Sequence, residues 1–86
     1  MGTKRRPRPQ RLAEKLLKIR TDLGLSQDEL IERLGLKGSL FSATVSQFER
    51  DIREPNYIVL LKYARLAGII TDILIDDELN LPDKLQ

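Results

Sequence analysis

Gly24-Leu25-Ser26-Gln27-Asp28-Glu29-Leu30-Ile31-Glu32-Arg33-Leu34-Gly35 is the stretch that decides the fold. Ser26 followed three residues later by Glu29 is the signature of a capping box. The serine hydroxyl accepts from the N–H of Glu29, and the glutamate reaches back to the N–H of Ser26. Asp28 and Glu29 suit the positive end of the helix dipole. Leu30, Ile31 and Leu34 then fall on one face, and Gly35 supplies the left-handed stop that side chains resist. The stretch therefore predicts a short amphipathic helix with both ends written into the sequence.

Upstream, Leu12, Leu16, Ile19 and Leu23 recur at i, i+4, i+7 and i+11, a single apolar stripe. With Pro9 suited to a first turn and Gly24 to a stop, this predicts a helix over 9–23. Downstream, Leu36-Lys37-Gly38-Ser39-Leu40-Phe41-Ser42 reads as a linker, with Ser39 and Ser42 both available as N-caps. A third helix runs to about residue 50 with Val45 and Phe48 inward. Pro55 opens a fourth, capped by Glu54 or Asn56, with Tyr57, Leu60, Leu61, Ala64 and Ala67 on one side and Gly68 as its stop. A short fifth helix follows from 71 or 72, although the β-branched Ile69, Ile70, Ile73 and Ile75 also suit a strand. The expectation is an all-α, compact five-helix bundle. A basic arm over 1–8, disordered when free, precedes a domain over 9–75 and an acidic tail over 76–86.

Bulk composition narrows the function. The 86 residues suffice for one domain. There is no Cys and no His, so no disulfide framework, no thiolate metal site and no imidazole base is available. Neither a metal nor a cofactor is expected, and catalysis is not. The Asp76-Asp77-Glu78 cluster lacks the spacing and glycine of a calcium loop and reads as a solvated tail. No apolar run has the length of a membrane helix and no secretory signal is visible, so the chain reads as cytoplasmic. Net charge is only +2, yet Lys4, Arg5, Arg6, Arg8, Arg11, Lys15, Lys18 and Arg20 crowd the first twenty residues against Glu14 alone. Such a basic end meets a polyanion or is merely solvated.

From 23 to 74 the chain resembles the Cro/phage-repressor (XRE-type) helix-turn-helix family. The resemblance is carried by Gly24-Leu25-Ser26-Gln27, Leu30, Leu34-Gly35, Val45-Ser46-Gln47-Phe48-Glu49-Arg50, Pro55 and Ala64-Arg65-Leu66-Ala67-Gly68. It implies a lambda-repressor-like DNA-binding domain with the helix-turn-helix at the second and third helices. Two departures stand out. The connection between these helices is longer than the family's tight turn, and Asp51 stands where the family commonly has glycine. Aspartate tolerates left-handed geometry better than most residues, so that turn can survive.

The resemblance implies roles that the chemistry supports. Gln27, at the first turn of the second helix, would contact a phosphate, since helix N-termini offer free N–H groups to anions. Ser42, Ala43, Thr44, Ser46 and Gln47 would meet base edges, with Gln47 able to bond adenine at N6 and N7. Arg50 and Arg53 would hold phosphates, which fix register without reading sequence. Lys4, Arg5, Arg6 and Arg8 would extend those contacts as an arm. Glu49 resembles the family's structural glutamate and is expected to bond inside the domain. The bland alternative for each polar residue is a solvated surface.

The function expected is sequence-specific binding of double-stranded DNA by a transcriptional regulator, with repression the favoured direction. Family members usually act as homodimers, which implies a pseudo-palindromic operator. Ile69, Ile70, Ile73, Leu74, Ile75, Leu79 and Leu81 are more apolar surface than a short tail buries on itself, and Ile69, Ile73, Leu74, Ile75 and Leu79 mark the expected dimer contact. The rival is a helix-turn-helix module that binds protein, such as an antitoxin masking a toxin partner.

Overall fold

Ser26 and Glu29 form the capping box in full: the Glu29 N–H lies 3.1 Å from Ser26 Oγ, and the Ser26 N–H lies 2.8 Å from Glu29 Oε1. These distances come from a computed structural model, which describes residues 8–85. The helix they open is the second of five: α1 (Leu12–Asp22), α2 (Gln27–Leu34), α3 (Ser42–Glu49), α4 (Tyr57–Ala67) and α5 (Thr71–Ile75). The chain is an all-α five-helix bundle, with no β-strand among the described residues. α1 packs on α3 and α5, α4 packs on α2 and α5, and α2 packs on α3. None of these helices is long and apolar enough to cross a membrane.

The α1 stripe supplies Leu12, Leu16 and Ile19 to the core, joined by Leu30, Ile31 and Leu34 from α2 and by Val45 and Phe48 from α3. α1 begins at Leu12 rather than Pro9. The N–H groups of Gln10 and Arg11 are donated to the Asp77 carboxylate, and Arg11 itself has a non-helical backbone. The tail thus caps α1 from across the molecule, and Asp77 is not the solvated residue its neighbours suggested.

α4 starts at Tyr57. The Asn56 side chain accepts from the Val59 N–H at 2.9 Å, which settles the choice of cap and leaves Pro55 ahead of the helix. Tyr57 is 80% exposed and does not share the inner side. The buried residues of α4 are Val59, Tyr63, Ala64 and Ala67, a face rotated from the one expected. The isoleucine-rich stretch after Gly68 is helical over Thr71–Ile75, not extended. Leu74 within it has no exposed surface, so its place in the expected dimer contact is corrected: it belongs to the core of its own chain.

Lys15 is the one charged residue in this core among the described residues, 2% exposed. Its ammonium donates to the carbonyls of Ile73, Asp76 and Leu79 at 2.8, 3.0 and 2.8 Å. An ammonium has three donors and no acceptor, so this set satisfies it completely. Burial lowers its pKa, and the nearby Arg11 charge adds to the effect. Leu81 and Leu85 continue the tail against the core.

Candidate nucleic-acid interface

The connection between α2 and α3 spans seven residues, 35–41. Gly35 and Gly38 take φ of 75° and 89°, conformations that a Cβ would oppose, and the chain doubles back between them. The N–H groups of Ser39 and Leu40 both return to the Leu36 carbonyl at 2.9 Å. This fold draws Leu40 into the core and half-buries Leu36 against it. Neither Ser39 nor Ser42 caps α3. The N-cap is Phe41, in extended conformation and without a side-chain hydrogen bond, and Ser42 is the first helical residue. The extra length is therefore a closed loop that returns the chain to a compact α2–α3 pair.

Val45 and Phe48 are the buried residues of α3. Ala43, Ser46, Gln47 and Arg50 are spaced i, i+3, i+4 and i+7, so they share the opposite side. Ala43 and Arg50 are exposed, and Ser46 and Gln47 half-buried. The five residues expected at base edges thus do not lie on one face. Ser42 lines a hollow with Asp28, Ile31 and Lys37, toward α2. Thr44 lines another with Arg53, Ile58 and Val59, toward the start of α4.

Glu49 turns inward. The Arg20 guanidinium grips its carboxylate at 2.7 and 3.1 Å and also donates to the Leu25 carbonyl at 3.0 Å. The Glu49 side chain is 6% exposed, so this pair is largely withdrawn from water. Its hydrogen bond to Glu49 raises the already high pKa of Arg20. Gln27 donates its side-chain amide to Glu49 Oε1 at 3.3 Å. Gln27 is thereby fixed at the first residue of α2 and tied to the last residue of α3. Tyr63 closes this polar cluster from α4: burial pushes its phenol upward, and the Glu49 charge adds to the shift. The Tyr63 hydroxyl is buried without a hydrogen-bond partner.

Arg20 and Phe41 were missed by sequence reasoning. The signal for Arg20 was present, since it follows the buried Leu16 by four residues and so shares its face. Phe41 gave no such signal, because its exposure depends on the loop that buries its neighbour Leu40.

Beyond α3, Asp51 takes φ of 60°, the left-handed turn expected of a residue in glycine's place. Arg53 is exposed. Arg8, expected at a phosphate, forms an ion pair with Asp51 and lies 3.4 Å from Glu54. Lys4, Arg5 and Arg6 lie outside the described residues. Much of the basic N-terminal run is thus engaged internally: Arg11 with the Asp77 carbonyl, Lys15 in the core, Lys18 with Asp22 and Arg20 with Glu49.

At the expected dimer surface Ile75 and Leu79 are exposed, and Ile69 and Ile73 half-buried. Ile70, beside them in sequence, is 62% exposed. Among the described residues no group of three His, Cys, Asp or Glu side chains could hold a metal ion. No known protein family matches the chain, and no curated protein is significantly similar to it.

Proposed function

We propose that this chain binds double-stranded DNA as a cytoplasmic transcriptional regulator, with α2 and α3 acting as a helix-turn-helix and α3 entering the major groove. The observation that carries the reading is the outer side of α3. Ala43, Ser46 and Gln47 are short or neutral there, so the helix backbone can come close to base edges. Exposed Arg50 and Arg53 follow at its C-terminal end, where phosphates flank the groove. The one acid of α3, Glu49, is withdrawn to Arg20 and does not repel the duplex. Gln27 takes the phosphate beside the N-terminus of α2, and any further cationic contact comes from Lys4, Arg5 and Arg6. The action is repression by occupancy of an operator, without catalysis or a cofactor. Two copies joined through Ile70, Ile75 and Leu79 bind a pseudo-palindromic site.

A second reading, a protein-binding module such as an antitoxin, draws on different residues. Ile52, Tyr57 and Ile58 are 61%, 80% and 47% exposed after α3, more apolar surface than phosphate contact requires. Selection from a randomised duplex library separates the two readings. A DNA-binding regulator enriches one sequence and loses affinity steeply with salt, by about 0.9 logarithmic unit per unit log salt for each phosphate neutralised. Failure to enrich any duplex overturns the DNA reading.

A further inference from the structure

We propose that Phe41 reads the 5-methyl group of a thymine, which makes the exposed ring a specificity determinant of the DNA site proposed above. The inference rests on that reading and adds a base to it.

The loop between α2 and α3 carries three large apolar residues, and folding treats them differently. Leu40 is 8% exposed and Leu36 is half-buried, whereas Phe41 remains 63% exposed. Its extended backbone, φ −122° and ψ 155°, keeps it outside the first turn of α3. The ring borders the hollow toward α2, with Lys37 and Ser42, and also the hollow toward α4, with Thr44 and Arg53. Leu40 lines both hollows too but is buried, so Phe41 is the exposed side chain between them, a ridge at the leading end of α3.

The next three residues, Ser42, Ala43 and Thr44, are small and uncharged. Of the acids near this ridge, Glu32 is matched by Lys37 at 3.6 Å, and Asp51 and Glu54 by Arg8, while Asp28, on the hollow toward α2, makes no ion pair among the described residues. Arg53, on the same hollow, makes no ion pair among the described residues. A recognition helix enters the major groove N-terminus first. Of the groups that the four bases present there, the thymine methyl is the apolar one. An exposed phenyl ring beside short neutral residues and an arginine matches that methyl and the phosphate beyond it.

The test uses the full chain and the duplex recovered from the library, with each thymine replaced singly by uracil, which removes only the methyl. At one thymine of each half-site the replacement weakens wild-type binding about fourfold, the effect of losing one buried methyl-sized group. Phe41→Ala weakens binding to the thymine duplex by a similar factor and removes the thymine–uracil difference at that position alone. Tyr57→Ala, on a residue even more exposed, leaves the difference intact. Circular dichroism confirms that each variant is folded, and the uracil series on wild-type protein needs no variant.

If a duplex is enriched but every uracil replacement is neutral, Phe41 does not read a methyl while the DNA reading stands. A thymine–uracil difference that survives in Phe41→Ala assigns the methyl to another side chain and equally overturns the proposal. So does a Phe41→Ala variant with unchanged DNA affinity, which leaves the ring to a protein partner. Failure to enrich any duplex removes both readings together.

Discussion

The ammonium of Lys15 lies 2.8 Å from the carbonyl oxygen of Ile73, inside a core otherwise built of hydrocarbon and one phenol. The same ammonium reaches Asp76 and Leu79, so a single side chain of α1 gathers the carbonyls at and beyond the end of α5. A cation is favoured there, because helix C-termini carry partial negative charge. Lys15→Ala leaves three carbonyls without their donor and a cavity where the stem packed. The expected cost is about 3 kcal/mol, read as a lower urea midpoint. Hydrogen exchange should quicken over residues 76–85 before it does in α2. Uniform quickening across the bundle would mean that Lys15 supports the whole core and not the tail.

Asp77 and Glu29 make stability depend on acid. The N–H groups of Gln10 and Arg11 hold the Asp77 carboxyl below its ordinary 3.8, and the Ser26 N–H and hydroxyl hold Glu29 below its ordinary 4.5. Because the folded values are depressed, the unfolded chain takes up these protons first. The stabilisation is complete above the ordinary values and is lost as pH falls through the folded ones. Stability should therefore decline below about pH 4.5. Asp77→Asn and Glu29→Gln should each flatten that decline while lowering stability at neutral pH. Urea midpoints followed from neutral to acid pH measure it, and an unchanged acid slope in both variants would place the titrating groups elsewhere.

Features set by a few neighbouring residues were legible in the sequence. The Ser26–Glu29 box and the stops at Gly24, Gly35 and Gly68 are short-range requirements of the backbone, and all appear as expected. The α1 stripe follows from helix periodicity alone. Pairings between distant residues were not legible. Lys15 looked like one more cation of a basic end, because the carbonyls that satisfy it lie 58 to 64 residues away. Asp77 looked solvated for the same reason. Within the site, the inward turn of Glu49 was expected, but its partner Arg20, 29 residues earlier, was not. Thr44 was expected outward, yet lines the hollow beside α4, since only Ala43, Ser46, Gln47 and Arg50 oppose the buried pair of α3.

Two substitutions one residue apart should behave differently in α5. Ile75 is 48% exposed, whereas Leu74 has no exposed surface. Ile75→Asp, combined with Ile70→Asp, should leave the helical spectrum intact and convert a dimer to monomer in sedimentation. Leu74→Asp should unfold the chain, since a buried unpaired carboxylate exceeds most of the stability of so small a domain, costing about 4 kcal/mol or more. If the double variant remains a dimer, the two copies meet through another surface, and the exposed group at Ile52, Tyr57 and Ile58 is the next candidate.

Reading and holding should separate between Gln47 and Arg53. Gln47 stands on the outer side of α3 with Ala43 and Ser46, and an amide has the paired donor and acceptor that adenine presents in the major groove. Arg53 lies beyond the left-handed turn at Asp51, exposed and past the end of the helix. From there a guanidinium meets phosphate rather than a base edge. Gln47→Ala should therefore cost about 1–3 kcal/mol on the preferred duplex and relax discrimination at a single base pair. Arg53→Ala should weaken all duplexes by similar factors and lower the salt slope by about 0.9 for each phosphate no longer neutralised. Both variants would be titrated on the best site and on each of its single-base changes, at several salt concentrations. The network behind α3 supplies the control. Glu49 fixes the end of α3 through Arg20 and Gln27, so Glu49→Gln, which keeps shape and one acceptor, should shift every duplex together while preserving the order of preference. If Gln47→Ala also shifts every duplex together, the outer side of α3 does not face the bases, and the closed loop at 35–41 has turned the helix away from the groove.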